Sequence, residues 1–221
     1  MKTVKNSIYL LLLISVQHGK TQGFVNLDFE DAVITHDPAS PYANAVYASE
    51  ALPGWAATGF IGPTNVLYNG SSAGSTSVSI LDINGHPPAL DGNFSVYLYG
   101  GITAASASIS QTGLVPVGTE SVFFEAQHYG LTQGTASLSV SLGGQNIPFF
   151  ALATSSNYTL YGGNVSAFAG QSEQLMFSAL EGENAWNIDD IQFSSTPVPE
   201  PSLFALTALG GLLLGCRRRY F

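Results

Sequence analysis

The chain has 221 residues, 15 Asp and Glu against 6 Lys and Arg, and a formal net charge of −9. All the basic residues (Lys2, Lys5, Lys20, Arg217, Arg218 and Arg219) lie in the two terminal segments, and every carboxylate lies between Asp28 and Glu200. The long middle segment therefore has no arginine clamp for carboxylate or phosphate and no surface to neutralise a nucleic-acid backbone, so nucleic-acid binding is excluded. Cys216 is the only cysteine, which leaves no internal disulfide.

Residues 1–23 read as a secretory signal peptide. Lys2 and Lys5 give a positive start, and residues 8–16 form an apolar core too short to span a membrane. Thr21 and Gly23 are the small residues of a cleavage region, with Phe24 opening the mature domain.

Residues 24–194 read as one all-β domain, rich in Gly, Ser, Thr and aromatics. Period-two alternation marks strands. Val78 and Ile80 oppose Ser77 and Ser79; Val96 and Leu98 oppose Tyr97 and Tyr99; Ala107 and Ile109 oppose Ser108 and Ser110. Val122, Phe124 and Ala126 oppose Phe123, Glu125 and Gln127, and Leu138, Val140 and Leu142 oppose Ser139 and Ser141. Further strands are expected at 25–29, 158–161, 175–178 and 185–193. Turns are expected at Asn84-Gly85, Asp91-Gly92, Gly143-Gly144 and Gly162-Gly163. Roughly ten short strands with one apolar face each imply a two-sheet antiparallel sandwich. No helix longer than a turn is expected before Ser202.

The strand at 185–193 cannot be regular. Trp186 and Ile188 share one parity and Ile191 and Phe193 the other, so a bulge at Asp189-Asp190 is needed to bury all four. The opening Asn26-Leu27-Asp28-Phe29-Glu30, Leu52-Pro53-Gly54-Trp55, Ala89-Leu90-Asp91-Gly92-Asn93 and the closing Trp186-Asn187-Ile188-Asp189-Asp190-Ile191-Gln192-Phe193 together resemble the galactose-binding-like jelly rolls. That family includes many carbohydrate-binding modules. The resemblance implies that the first and last strands lie close together, with a structural calcium held by Glu30, Asp189 and Asp190. Two readings stand for these acids: calcium ligands, which suit an ion taking six to eight oxygens, or solvent-facing turn residues. Asp82-Ile83-Asn84-Gly85 has the look of a calcium loop, but reads better as a plain turn.

No catalytic constellation is present. His36, His86 and His128 lack metal-ligand spacing, there is no Gly-x-Ser-x-Gly elbow, and no mature Lys or Cys can serve as a nucleophile within the domain. Glu181 and Glu183 read as a solvated hairpin. Tyr97, Tyr99 and Tyr129, with Tyr158 and Tyr161, are candidate glycan platforms, while Trp55 and Trp186 read as core. Asn69, Asn93, Asn157 and Asn164 each begin an Asn-x-Ser/Thr triplet, which chance accounts for in so Ser- and Asn-rich a chain.

Residues 195–221 form a linker and tail. Pro199-Glu200-Pro201 precedes an apolar segment at 203–215, and Arg217, Arg218 and Arg219 follow. At ~1.5 Å per residue such a helix is about 20 Å long, short for a comfortable span. The arginines would stay cytoplasmic. This order resembles the PEP-CTERM sorting signal of exported bacterial proteins, which implies a transient membrane anchor, cleavage by the protease exosortase near Pro199–Pro201, and release to the cell surface or matrix. An ordinary single-span anchor is the other reading of the tail.

Two functions follow from the sequence: a non-catalytic surface or matrix protein acting by adhesion or assembly in an extracellular polysaccharide, or a carbohydrate-binding module with a defined glycan. Glycoside hydrolysis by paired carboxylates is a third.

Overall fold

The computed structural model describes residues 23–71, 75–102, 106–130 and 137–198. The expected leader up to residue 22, the Pro-Glu-Pro motif, the apolar segment 203–215 and the arginine cluster lie outside the described residues.

The described chain folds as a two-sheet jelly-roll sandwich. In order the elements are β1 (Ala45–Tyr47), the single turn α1 (Ala48–Ala51), β2 (Ala56–Thr58), β3 (Asn65–Tyr68), β4 (Ser77–Leu81), β5 (Ser95–Tyr99) and β6 (Ala107–Leu114). Then come β7 (Ser121–Tyr129), β8 (Leu138–Leu142), β9 (Gln145–Asn146), β10 (Phe149–Thr154), β11 (Thr159–Asn164), β12 (Ser172–Ala179) and β13 (Ala185–Ser194). One sheet has eight strands in the order β1-β3-β4-β5-β13-β7-β11-β10; the other has five, β2-β6-β12-β8-β9. Pairing is antiparallel except between β3 and β4.

The alternation read from sequence selects the core. Ile109, Val140 and Phe177 of the small sheet meet Val96, Leu98, Phe124 and Trp186 of the large one, all fully buried. Phe124 lies at the centre of an aromatic group, with ring centroids 5.2 Å from Phe177, 5.3 Å from Phe149 and 5.5 Å from Tyr161. Trp186 closes it, its indole N–H donating to Ser137 Oγ at 3.0 Å. Both tryptophans are core, as expected, and so is Tyr161.

The irregular closing strand is also as expected. Asp189 pairs with Glu125 and Gln192 with Phe123, so one extra residue is accommodated between them. Asp190 takes a positive φ of 42° at this bulge, and Trp186, Ile188 and Ile191 are all buried.

Two expectations are corrected. Residues 25–29 form no strand. Asn26 and Phe29 have φ of 49° and 58°, and the segment runs from one sheet to the other. Val25 exchanges hydrogen bonds with the Gln111 side chain on β6, Leu27 O accepts from Ile191 N at 3.0 Å, and Phe24 stacks on Phe193 at 4.9 Å. Gly162-Gly163 is no turn but lies inside β11. A Cβ at 162 would sit 2.7 Å from Leu152 Cδ1, which would have to shift, and one at 163 would sit 2.8 Å from the main-chain Pro148 O, where glycine is required. Ser77 and Ser79 on β4 are fully buried too, because loops cover that side of the large sheet.

Candidate functional site

The outer face of the eight-stranded sheet carries the residues with chemical potential. Strand register arranges them in rows. Ser77, Tyr99, Ala185 and Tyr129 form one row across β4, β5, β13 and β7. Ser79, Tyr97, Asn187 and Gln127 form the next. Asp189, Glu125 and Leu160 form a third across β13, β7 and β11.

The polar residues of the middle row are structural. Asn187 accepts from Ser95 Oγ at 2.7 Å and donates to Pro88 O at 3.0 Å. Ser79 Oγ donates to Gly70 O. These bonds fasten the loops around 70 and 82–94 over the face, and a buried polar group needs such a partner. The covering loops account for the burial of this half of the sheet.

The tyrosine end remains as a platform. Tyr97 and Tyr129 lie with ring centroids 6.2 Å apart, and Tyr99 and Tyr129 pack on the Leu81, Tyr97 and Ala185 cluster. Tyr99 and Tyr129 flank Ala185, so their strands are about 10 Å apart with only a methyl group between. Tyr97 is 8 % exposed and its neighbours are half-buried. Burial, and then the nearby Tyr129 and Tyr99, push the Tyr97 hydroxyl up to about 12, so it stays a neutral donor. Half-buried Gln127 adds an amide beside the rings. Sequence reading names Tyr97, Tyr99 and Tyr129, and the structure brings all three together. It misses Ala185 and Gln127, whose only signal is their phase in the alternation. Of the other two candidates, Tyr161 faces the core and Tyr158 donates its hydroxyl to Glu125.

The carboxylates expected to hold calcium accept hydrogen bonds from nearby amides. Glu30 Oε1 accepts from the amides of Asn93 at 2.7 Å and Phe94 at 3.0 Å, and Oε2 accepts from Asn93 Nδ2 at 2.7 Å. Burial works against the charge of Glu30, but these donors together hold its pKa below the ordinary value. Asp189 Oδ2 accepts from Asp91 N at 3.3 Å and Oδ1 from Asp190 N at 2.8 Å. Asp190 Oδ2 instead accepts from Gln192 Nε2 at 2.6 Å. So Glu30 and Asp189 grip one loop, 91–94, from its two ends. Among the described residues no group of three or more His, Cys, Asp or Glu side chains is arranged to hold a metal ion. The oxygens of Glu30 and Asp189, and Oδ2 of Asp190, accept from N–H donors.

Glu125 is the unexpected acid. It is 8 % exposed, and its Oε2 is buried without a hydrogen-bond partner. Burial raises its pKa, Tyr158 partly offsets this, and the charges of Asp190 and Asp91 add to the rise. Asp189 opposite is 2 % exposed, and burial raises it to about 8.

No family model and no curated protein matches the chain in sequence. Among solved structures, the chain is similar to TmCBM61, described in complex with β-1,4-galactotriose, at 15 % identity and a TM-score of 0.44, covering 78 % of this chain and 97 % of that one. It is also similar to the enzymatically active domain of tailspike protein 4 of bacteriophage CBA120, at 17 % identity and a TM-score of 0.39, covering 70 % of this chain and 22 % of that one.

Proposed function

We propose that this is a non-catalytic carbohydrate-binding protein whose ligand lies on the tyrosine end of the outer face. The observation that carries the reading is the row Tyr99–Ala185–Tyr129 with Tyr97 beside it. Flat rings around a small residue offer stacking surface to a pyranose, while tyrosine hydroxyls and Gln127 offer the directional bonds that fix orientation. With no Lys or Arg in the domain, such a face favours neutral sugars over uronates. A glycan array probed with the purified protein tests this. Binding that weakens in Tyr129→Ala supports the site; no binding to any glycan, or binding indifferent to Tyr99→Ala and Tyr129→Ala, refutes it.

Facing carboxylates are also the equipment of glycoside hydrolysis. Glu125 and Asp189 face each other, but both are nearly fully buried and the oxygens of Asp189 accept from main-chain amides. The non-catalytic reading is therefore favoured.

For location we propose export with processing at the tail. The support is the order Pro199-Glu200-Pro201, apolar segment 203–215, Arg217-Arg218-Arg219. Intact-mass analysis of the surface form tests it: a chain ending near Pro199–Pro201 is expected, and retention of residues 203–221 refutes processing.

A further inference from the structure

The outer face of the large sheet carries a second row built like the tyrosine row. Strand register sets Gln192, Phe123, Gly162 and Phe150 side by side across β13, β7, β11 and β10. Phe123 and Phe150 thus flank Gly162 as Tyr99 and Tyr129 flank Ala185: two rings about a residue with at most a methyl group. The missing Cβ at 162 makes room for this. One there would sit 2.8 Å from Phe123 Cδ1 and 2.7 Å from Leu152 Cδ1, so the Phe123 ring and Leu152 lie over the β11 main chain. Phe123 and Leu152 are half-buried, and Phe150 is 49 % exposed. Their chain neighbours Phe124 and Phe149 pack together in the core, and alternation along a strand then holds Phe123 and Phe150 on the outer face.

Strand β7 links the two rows. Tyr129 and Phe123 both lie on its outer face, six residues apart, which is about 20 Å at the rise of a strand. Between them stand Gln127, whose Nε2 is 3.5 Å from His128 O, at the outer limit of a hydrogen bond, and Glu125, which accepts from the Tyr158 hydroxyl. The face therefore runs from rings to polar groups to rings. The loops that cover this face are fastened at Gly70, Pro88 and Asp91, on the β4, β5 and β13 side, whereas the second row lies on the β7, β11 and β10 side.

We infer that the ligand of this face is an extended neutral glycan chain, held at the tyrosine row and again at Phe123 and Phe150; this rests on the carbohydrate reading above. A span of about 20 Å is more than one pyranose can bridge. A linked chain of pyranoses offers C–H faces to the rings at both ends and hydroxyls to the polar groups between. That polar middle decides against a wholly apolar occupant, such as a lipid tail or an apolar helix, which would strip water from Gln127 and Tyr158 and replace none of its hydrogen bonds.

The test titrates the full chain by calorimetry with neutral β-1,4-linked gluco-, manno- and galacto-oligosaccharides, each as disaccharide and as hexasaccharide. In the series that binds, the hexasaccharide is expected to bind about tenfold more tightly than the disaccharide, the scale of an added aromatic contact. Phe150→Ala should remove most of that gain, and Phe150→Tyr, which keeps a ring, should retain it. Tyr129→Ala should weaken both lengths. Equal affinity for the two lengths, or a gain that Phe150→Ala and Phe123→Ala leave intact, overturns the extended track and leaves the tyrosine site standing. No binding by any member of the panel overturns both. If Phe150→Ala instead dissociates a dimer seen by sedimentation and spares the gain with length, the second row is a contact between copies and the proposal fails. Phe150 is exposed, and unchanged melting curves verify that its variants fold.

Discussion

Glu125 and Asp189 stand directly opposite each other on β7 and β13, both almost wholly buried, with no cationic side chain in the domain to separate them. Like charges so placed are destabilising. Desolvation favours their neutral forms in the folded protein; the charges of Asp190 and Asp91 add to the rise of Glu125, and those of Glu125 and Asp190 add to that of Asp189, which reaches about 8.

This fixes a pH dependence. Asp189 has its ordinary value of 3.8 when unfolded and about 8 when folded. Between those values the folded state binds more protons, so stability falls as pH rises. The contribution is complete below pH 3.8 and is lost as pH passes through about 8. Glu30 and Asp82, held low by their donors, act in the opposite sense, and their contribution is lost only as acid protonates them. The melting temperature is expected to decline from mildly acidic to mildly alkaline pH, and Asp189→Asn should flatten that decline. A rising or flat wild-type profile over this interval contradicts the assignment.

Glu30→Ala removes the acceptor of three N–H bonds on the 93–94 segment. A net loss of about 1–2 kcal/mol is expected, at about 2–4 °C per kcal/mol for a domain of this size. Glu181→Gln, in the exposed 181–183 turn, should leave melting unchanged. Because amide donors satisfy Glu30 and Asp189, millimolar calcium and chelator are expected to give the same melting curve. A rise of several degrees with calcium that disappears in Glu30→Gln would show instead that these acids bind the ion.

Tyr99→Ala and Tyr129→Ala should each weaken glycan binding by up to about tenfold, the scale of one aromatic contact. Tyr42→Ala, an exposed tyrosine paired with Phe60 away from the outer-face rows, should not. Titration by intrinsic fluorescence separates these outcomes.

Gly163→Ala should destabilise by about 1–3 kcal/mol, as overpacking does. The new methyl would lie 2.8 Å from Pro148 O, a main-chain atom that cannot swing away. Gly144→Ala, whose Cβ meets open space but whose φ is 75°, should cost less, about 1 kcal/mol for the left-handed backbone alone. Urea unfolding of both variants gives the comparison.

What the sequence discloses depends on contrast between faces. Where one face is core and the other polar, as on β6, alternation separates the buried positions from the less buried ones, and the parity conflict at Trp186, Ile188 and Ile191 locates the bulge. The outer face resists the same reading. Ser79, Ser95 and Asn187 lie on the outer face yet are buried: loop carbonyls at Gly70 and Pro88 accept from Ser79 and Asn187, and Ser95 donates to Asn187 on the neighbouring strand. Gly162-Gly163 reads as a turn because the pattern cannot show that Leu152 and Ile147 press on it. The tyrosines are legible as candidates, but their convergence around Ala185 needs the register of three strands. Glu125 hides among fourteen other acids until its burial is known.

The placement of β13 governs when the molecule can exist as a fold. This last strand lies between β5 and β7 in the middle of the large sheet, so a chain emerging N-terminus first holds two unjoined half-sheets, each with a bare inner edge, until residues 185–194 arrive. Its central ladder joins segments far apart in sequence, a topology that closes slowly. Nascent chains should accordingly stay protease-sensitive and unable to present the Tyr99–Ala185–Tyr129 row until residues 185–194 are free, which ties the proposed ligand face to the arrival of that one strand.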